Sequence, residues 1–170
     1  MIEPISAAIG AAYESSQIAG GLVDRFIKAR EAKLDAKALR RMVLLEVRYN
    51  LAILEVAIHS KNPLPPAALW LVPALLRADA LEVVLGGSKA ASAFTKTLDG
   101  VKVSDANLLK DSSGVIPNLY SRVTALQGLA ALHRQVPLDK VKIELRLRNL
   151  MRDLLALRSV LAKRPPLVGS

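Results

Sequence analysis

The chain has no cysteine. That excludes disulfides, thiolate nucleophiles and zinc sites built on cysteine, and it accords with a reducing compartment. Histidine is almost as scarce, with only His59 and His133. Neither belongs to an HxxxH or HExxH spacing, so no imidazole cluster for a metal ion can be drawn. Both fall near the carboxyl ends of expected helices, where a solvated or capping cation is favoured. Aromatic residues make up 4% of the sequence against 52% hydrophobic overall. Ala, Leu and Val therefore carry the apolar content, which favours helices packed closely on small and aliphatic side chains.

The chemistry-bearing motifs are also missing. No GxGxxG, Walker loop or GxSxG occurs. Gly86-Gly87-Ser88-Lys89 is not preceded by a strand and so is not a phosphate loop. Arg122 and His133 are too far apart for the short Arg-to-His motif of helical ribonucleases. These absences predict a protein that is not an enzyme, takes no cofactor or metal and has no small-molecule substrate. The amino end lacks the basic stretch of a secretory signal. Residues 4–23 carry Glu14 as their one charge, but Ser6, Ser15, Ser16, Gln17 and three glycines make them too polar for a spanning helix. A soluble, cytoplasmic protein is expected.

Negative charge is short in one half only. Residues 1–85 hold ten Lys/Arg and nine Asp/Glu, whereas residues 86–170 hold fourteen and six. Most of the net charge of +9 therefore sits in the second half. Such a half can face nucleic acid, an anionic membrane or an acidic protein.

What is present is helix. Ile143, Leu147, Leu150, Leu154, Leu157 and Leu161 follow in steps of four and three, the seam of a helix that lies along another. Asp139 is placed to cap this helix and Pro165-Pro166 to end it. Asp35 caps a second helix running to about Ser60, with Arg41, Arg48, Glu55 and His59 outward and nearly everything else apolar. Asn62-Pro63-Leu64-Pro65-Pro66 breaks the chain. Residues 66–85 resume a helical pattern that Pro73 kinks or restarts, with Trp70 anchoring the turn, and Gly86-Gly87 stops it. Ser88 can cap a short helix through Thr97, while residues 101–110 are ambiguous. Ile116, Leu119, Val123, Leu126 and Ala130 form another stripe, with Pro117 in the first turn. At the amino end Pro4 can start a helix with a stripe of Ile5, Ile9, Ala12 and Tyr13.

The pattern predicts an all-α fold, an up-and-down bundle of four long helices with one or two short additional ones. It is a single domain over 1–166, with an irregular or mobile connection at 86–115 and a frayed tail at 167–170. The expected core is Ile9, Leu22, Phe26, Met42, Leu45, Ile53, Leu54, Leu81, Leu119, Val123, Leu126, Leu147, Leu150, Leu154 and Leu157.

Two groups of residues stand out as candidate sites. Glu46 and Asn50 share one face of the second helix with Met42, Val43 and Leu54, so they must find partners when buried. Tyr120, Ser121 and Arg122 are the expected partners, with Arg122 bidentate on Glu46. This network either fixes helix register or furnishes a ligand pocket. The second group is the basic surface of the last helix: Lys142, Arg146, Arg148, Arg152, Lys163 and Arg164. It is broad, has no aromatic residues among the basic ones, and is interrupted by Val141, Leu145 and Val160. The interruptions imply a second packing surface.

Three roles fit this inventory. The first is a non-enzymatic interaction protein, meaning an adaptor, accessory subunit or self-assembling component. The second is a nucleic-acid-binding module using the basic last helix. The third is a membrane-associated effector acting through the amino-terminal helix.

Overall fold

The computed structural model describes residues 35–99 and 114–162. The expected amino-terminal helix, with Ile9, Leu22 and Phe26, lies outside these residues, as do 101–110 and the 167–170 tail. Among the described residues the fold is all-helical, with no strand. The elements are α1 (Ala36–His59), a 3-10 helix (Ala68–Leu75), α2 (Asp79–Leu85), α3 (Lys89–Asp99), α4 (Val115–His133) and α5 (Ile143–Ala162).

Local chemistry sets most of the boundaries. The Asp35 carboxylate accepts from the Ala38 N–H at 2.6 Å, the expected cap of α1. Beyond α1 the chain folds back on the helix end, and Leu64 N donates to the Ala57 carbonyl at 2.9 Å. Pro73 does not kink an α-helix. It sits inside an eight-residue 3-10 stretch, where rows of every third residue divide inside from outside. Leu69 and Val72 are buried in one row, while Leu71 and Ala74 face out in another. An α-helix resumes only at Asp79. It ends at Gly86-Gly87, with Gly87 at φ +76°, a left-handed position that glycine fills without strain. Ser88 Oγ accepts from Ala91 N and caps α3. That helix occupies the first part of the 86–115 connection.

Asp139 does not cap the last helix. It lies in a turn, and α5 begins four residues later at Ile143. A tight turn from Leu138 to Val141 uses the intervening residues (Val141 N to Leu138 O, 2.9 Å).

The leucine seam of α5 is buried throughout, from Ile143 to Leu161. It packs most extensively on α1. The two helices run antiparallel, because Arg40 near the start of α1 donates to the carbonyls of Val160 and Leu161 at the end of α5. At the opposite end Arg148 meets His59. Arg40 thereby satisfies carbonyls that a helix terminus leaves unpaired and places a cation at the negative end of its dipole.

The 3-10 helix and α2 pack against both α1 and α4, so residues 68–85 form a strap between these two long helices. Alpha-3 closes the core from the side with Ala91, Phe94 and Leu98, all buried.

Most of the expected core is confirmed, with two adjustments. Leu45 is 44% exposed. It lies four residues after Arg41 and three before Arg48, so it shares their outward face. Met42 is half-buried and packs against the edge of the core. Leu150 and Leu154 are 1% and 0% exposed. Replacing either with Ala should therefore lower stability by about 2–5 kcal/mol. A thermal melt unchanged by both substitutions would remove the seam from its central role.

Candidate functional site

Glu46 and Asn50 are both buried, as their neighbours required, but their partners are not on α4. Asn50 Nδ2 donates to the Arg77 carbonyl at 2.7 Å, and Asn50 Oδ1 accepts from the Arg77 N–H at 2.8 Å. The Glu46 carboxylate accepts from the N–H groups of Ala80 (2.6 Å) and Leu81 (3.3 Å). These are first-turn amides of α2, whose own N-cap residue, Ala78, has no acceptor side chain. Glu46 thus caps α2 from a neighbouring helix. From the other side Gln127 of α4 donates to the Leu76 carbonyl at 2.9 Å. The strap's linker and the first turn of α2, residues 76–81, are held by side chains of both long helices.

The expected Arg122–Glu46 pair does not form, because that linker occupies the space between α1 and α4. Arg122 turns instead to α5. Its Nε donates to Asn118 Oδ1 at 3.0 Å, and its Nη1 contacts the carboxylate of Asp153, which is 2% exposed. Asp153 is not among the candidate residues of the sequence analysis. The missed signal is its row on the helix, which also carries Leu150, Leu157 and Val160. Of the residues that interrupt the basic coat, Val160 is buried in this row, whereas Leu145 is 53% exposed and Val141 lies before the helix, so they do not form a second packing surface.

Burial pushes the Glu46 carboxyl up from 4.5 to about 7. The Ala80 and Leu81 amides pull in the opposite direction, Asp79 adds to the rise and Arg77 opposes it. Among the described residues no buried side-chain nitrogen or oxygen lacks a hydrogen-bond partner.

Two depressions flank the strap. One is a polar recess of about 390 Å³, bordered by Tyr49, Arg77, Asp79, Tyr120 and Gln127. The Arg77 guanidinium lies over the Tyr49 ring, 5.7 Å from its centroid, and 3.6 Å from Asp79. Tyr120 therefore borders the clasp that Glu46 and Asn50 make without bonding to either.

The other is an open groove of about 700 Å³ where the 3-10 helix, the end of α4 and the start of α5 converge. Its walls include Pro66, Trp70, Leu138, Val141 and Leu145, and Lys142, Asp139, Glu144 and Arg148 also line it. Trp70 stacks on His133 at 3.9 Å between ring centroids and 10° between planes. Trp70 thus anchors the strap to α4, beyond the turn where the sequence placed it. His133 Nδ1 accepts from the Leu138 N–H at 3.1 Å, so the ring holds the following loop. His59 behaves likewise: arginine can only donate, so His59 Nε2 is the acceptor in its 3.1 Å contact with Arg148.

The basic surface is partly tied up. Arg148 donates from Nε and Nη2 to Glu144 at 2.9 and 2.7 Å, and Arg152 lies 3.8 Å from Asp153. Lys142 and Arg146 are exposed and make no ion pair among the described residues. Lys163 and Arg164 lie outside those residues. Among the described residues there is no cluster of acids and histidines suited to a metal ion and no helix long and apolar enough to cross a membrane.

The Glu46 shift gives stability a defined pH dependence. With the folded value at about 7 and the ordinary one at 4.5, the native state keeps a proton that the unfolded chain releases. This contribution is fully present below the lower value and is lost as pH rises through the upper one. The difference is about 3 kcal/mol. Urea unfolding at about pH 5 and about pH 8 should show greater stability at the lower pH, and Glu46→Gln should abolish the contribution from this group. An undiminished difference in the Gln variant would refute the assignment.

No family model matches the chain, and neither a curated protein nor a solved structure matches it, so function must be read from these residues themselves.

Proposed function

We propose that this protein is a non-enzymatic helical interaction protein, an adaptor, accessory subunit or self-assembling component. The observation that carries this reading is surplus apolar surface on helices whose cores are already filled. On α1, Leu45, Ala52 and Val56 line the exposed face among Arg41, Arg48 and Glu55. On α5, Leu145 and Leu155 stand out opposite a fully buried seam. Single exposed leucines are ordinary, but a row on one helix face beside a packed core is what a partner helix covers. The side chains the sequence offered for chemistry, Glu46, Asn50 and Arg122, are engaged in holding backbone and helices together, which fits a binding role better than a reaction centre.

A second reading is nucleic-acid binding through α5, favoured by exposed Arg146 and Arg152 and by Lys142 just before the helix. Leu145 and Leu155 break that surface into pieces, which weakens it. If it holds, DNA or RNA affinity will fall steeply with salt and will drop on Arg146→Glu and Arg152→Glu. No affinity at low salt would eliminate it.

Mass measurement on the full chain, alone and with a native lysate fraction, tests the leading reading. The expected result is a species heavier than the 18.3 kDa monomer, reverting to monomer on Leu45→Asp with Val56→Asp. A clean monomer at high concentration that joins no larger complex would overturn it.

A further inference from the structure

The water-facing side of α1 carries a row with the spacing of a helix-pairing seam. Arg41, Leu45, Arg48, Ala52, Glu55 and His59 follow in steps of four, three, four, three and four, and all are exposed, with exposed Val56 beside them. Ala52 stands in the middle, and its neighbours divide into two edges. At 3.6 residues per turn, Arg48 and Glu55 lie about 40° and about 60° to one side of Ala52, and Leu45 and Val56 lie about 20° and about 40° to the other. Arg48 and Glu55 have opposite charges but stand seven residues apart, beyond the spacing at which side chains of one helix pair. Neither makes a hydrogen bond or an ion pair among the described residues.

Such a row is complementary to a reversed copy of itself. A second α1 can lie antiparallel on the first, with a two-fold axis passing at Ala52. That axis sets each edge against the same edge of the other copy. Arg48 precedes Ala52 by four residues and Glu55 follows it by three. Each Arg48 therefore comes within one residue's rise, about 1.5 Å along the axis, of the other copy's Glu55. The pair forms twice. On the second edge Leu45 and the other copy's Val56 fall within about 4.5 Å of each other along the axis. The small side chain of Ala52 at the crossing lets the helices approach closely. Lys37 and Arg41 extend past the other copy's last helical residue, His59, and so set no cation against Arg48.

Other occupants fit this row less well. A parallel copy in register would set Arg48 against Arg48 and Glu55 against Glu55. Nucleic acid would meet a carboxylate in the middle of the row, and a bilayer would bury both charges unpaired.

We propose that this face of α1 receives a second copy of the chain, as an antiparallel two-fold dimer centred on Ala52 with reciprocal Arg48–Glu55 pairs. This assignment rests on the interaction reading above and names its partner. The apolar edge supplies most of the attraction. Exposed ion pairs add little, but like charges set in their place are costly, so the charges fix direction and register.

Sedimentation of the full chain over a concentration series tests the pairing, with a monomer–dimer equilibrium expected. Arg48→Glu and Glu55→Arg each bring like charges together and should weaken dimerisation about tenfold or more, with thermal melts unchanged. Mixed with each other, these two variants should pair, because one copy then offers two carboxylates and the other two guanidinium groups. The double variant should dimerise as the original chain does. Because the chain has no cysteine, Ala52→Cys should cross-link to itself under mild oxidation, whereas Arg146→Cys, exposed on α5, should not. A monomer at every concentration, a dimer indifferent to both charge reversals, a mixture no heavier than its components, or cross-linking at residue 146 equal to that at residue 52 would each overturn the proposal. If the chain is monomeric alone yet joins a heavier complex in the lysate fraction, this pairing falls and the interaction reading survives. A monomer in both removes both.

Discussion

A short linker gripped by buried polar side chains organises this protein. Residues 76–78 connect the 3-10 helix to α2, and with the first turn of α2 they run between two long helices. Backbone in such a place exposes N–H and C=O groups to an apolar interior, where an unpaired group costs roughly 1–3 kcal/mol. Asn50 satisfies both polar groups of Arg77, Glu46 satisfies two amides of α2, and Gln127 takes the Leu76 carbonyl. Burying Glu46 is itself unfavourable, which its raised pKa records. The N-cap residue of α2, Ala78, offers no acceptor side chain, and Glu46 supplies one from α1. The clasp therefore acts through position: it sets the strap's register against α1 and α4, and apolar packing alone would define that register less sharply.

The rest of the fold is fastened at its ends. Arg40 ties the start of α1 to the end of α5, while Arg148 and His59 close the opposite end. Arg122 and Asp153 lock α4 to α5 through a buried carboxylate and a partly exposed guanidinium. Between these points the contact between α1 and α5 is largely aliphatic, with Leu39, Val43, Leu54, Leu147, Leu150 and Leu154 all buried. Such packing tolerates sliding by a turn. The polar contacts remove that freedom, since a one-turn shift would separate Arg40 from the last carbonyls of α5.

How much of this the sequence disclosed depends on the kind of signal. Period was reliable: the steps of three and four in α4 and α5 named buried residues correctly, because helical geometry alone converts spacing into a face. Caps with one short-range partner were also legible, as at Asp35 and Ser88. Two kinds of feature were hidden. Asp139 looked like a cap, but a competing turn from Leu138 to Val141 delayed the helix. The partners of Glu46 were assigned to α4 because sequence patterns reveal which side chains need partners and not what backbone will fill the gap. Phe94 shows a weaker form of the same blindness. With Ala91 and Leu98 it forms a three-and-four stripe, yet the small and polar residues around it mute the pattern.

The clasp and the candidate groove are linked through the strap. Trp70 belongs to the strap's first part, whose other end is fixed by the grip on residues 76–81, and Pro66 lies just before it. His133 receives Trp70 face to face and, through Nδ1, also holds Leu138. The groove wall is thus assembled from elements that each depend on a distant fastening, so loosening the clasp at Glu46 or Asn50 would disturb the groove as well as the strap.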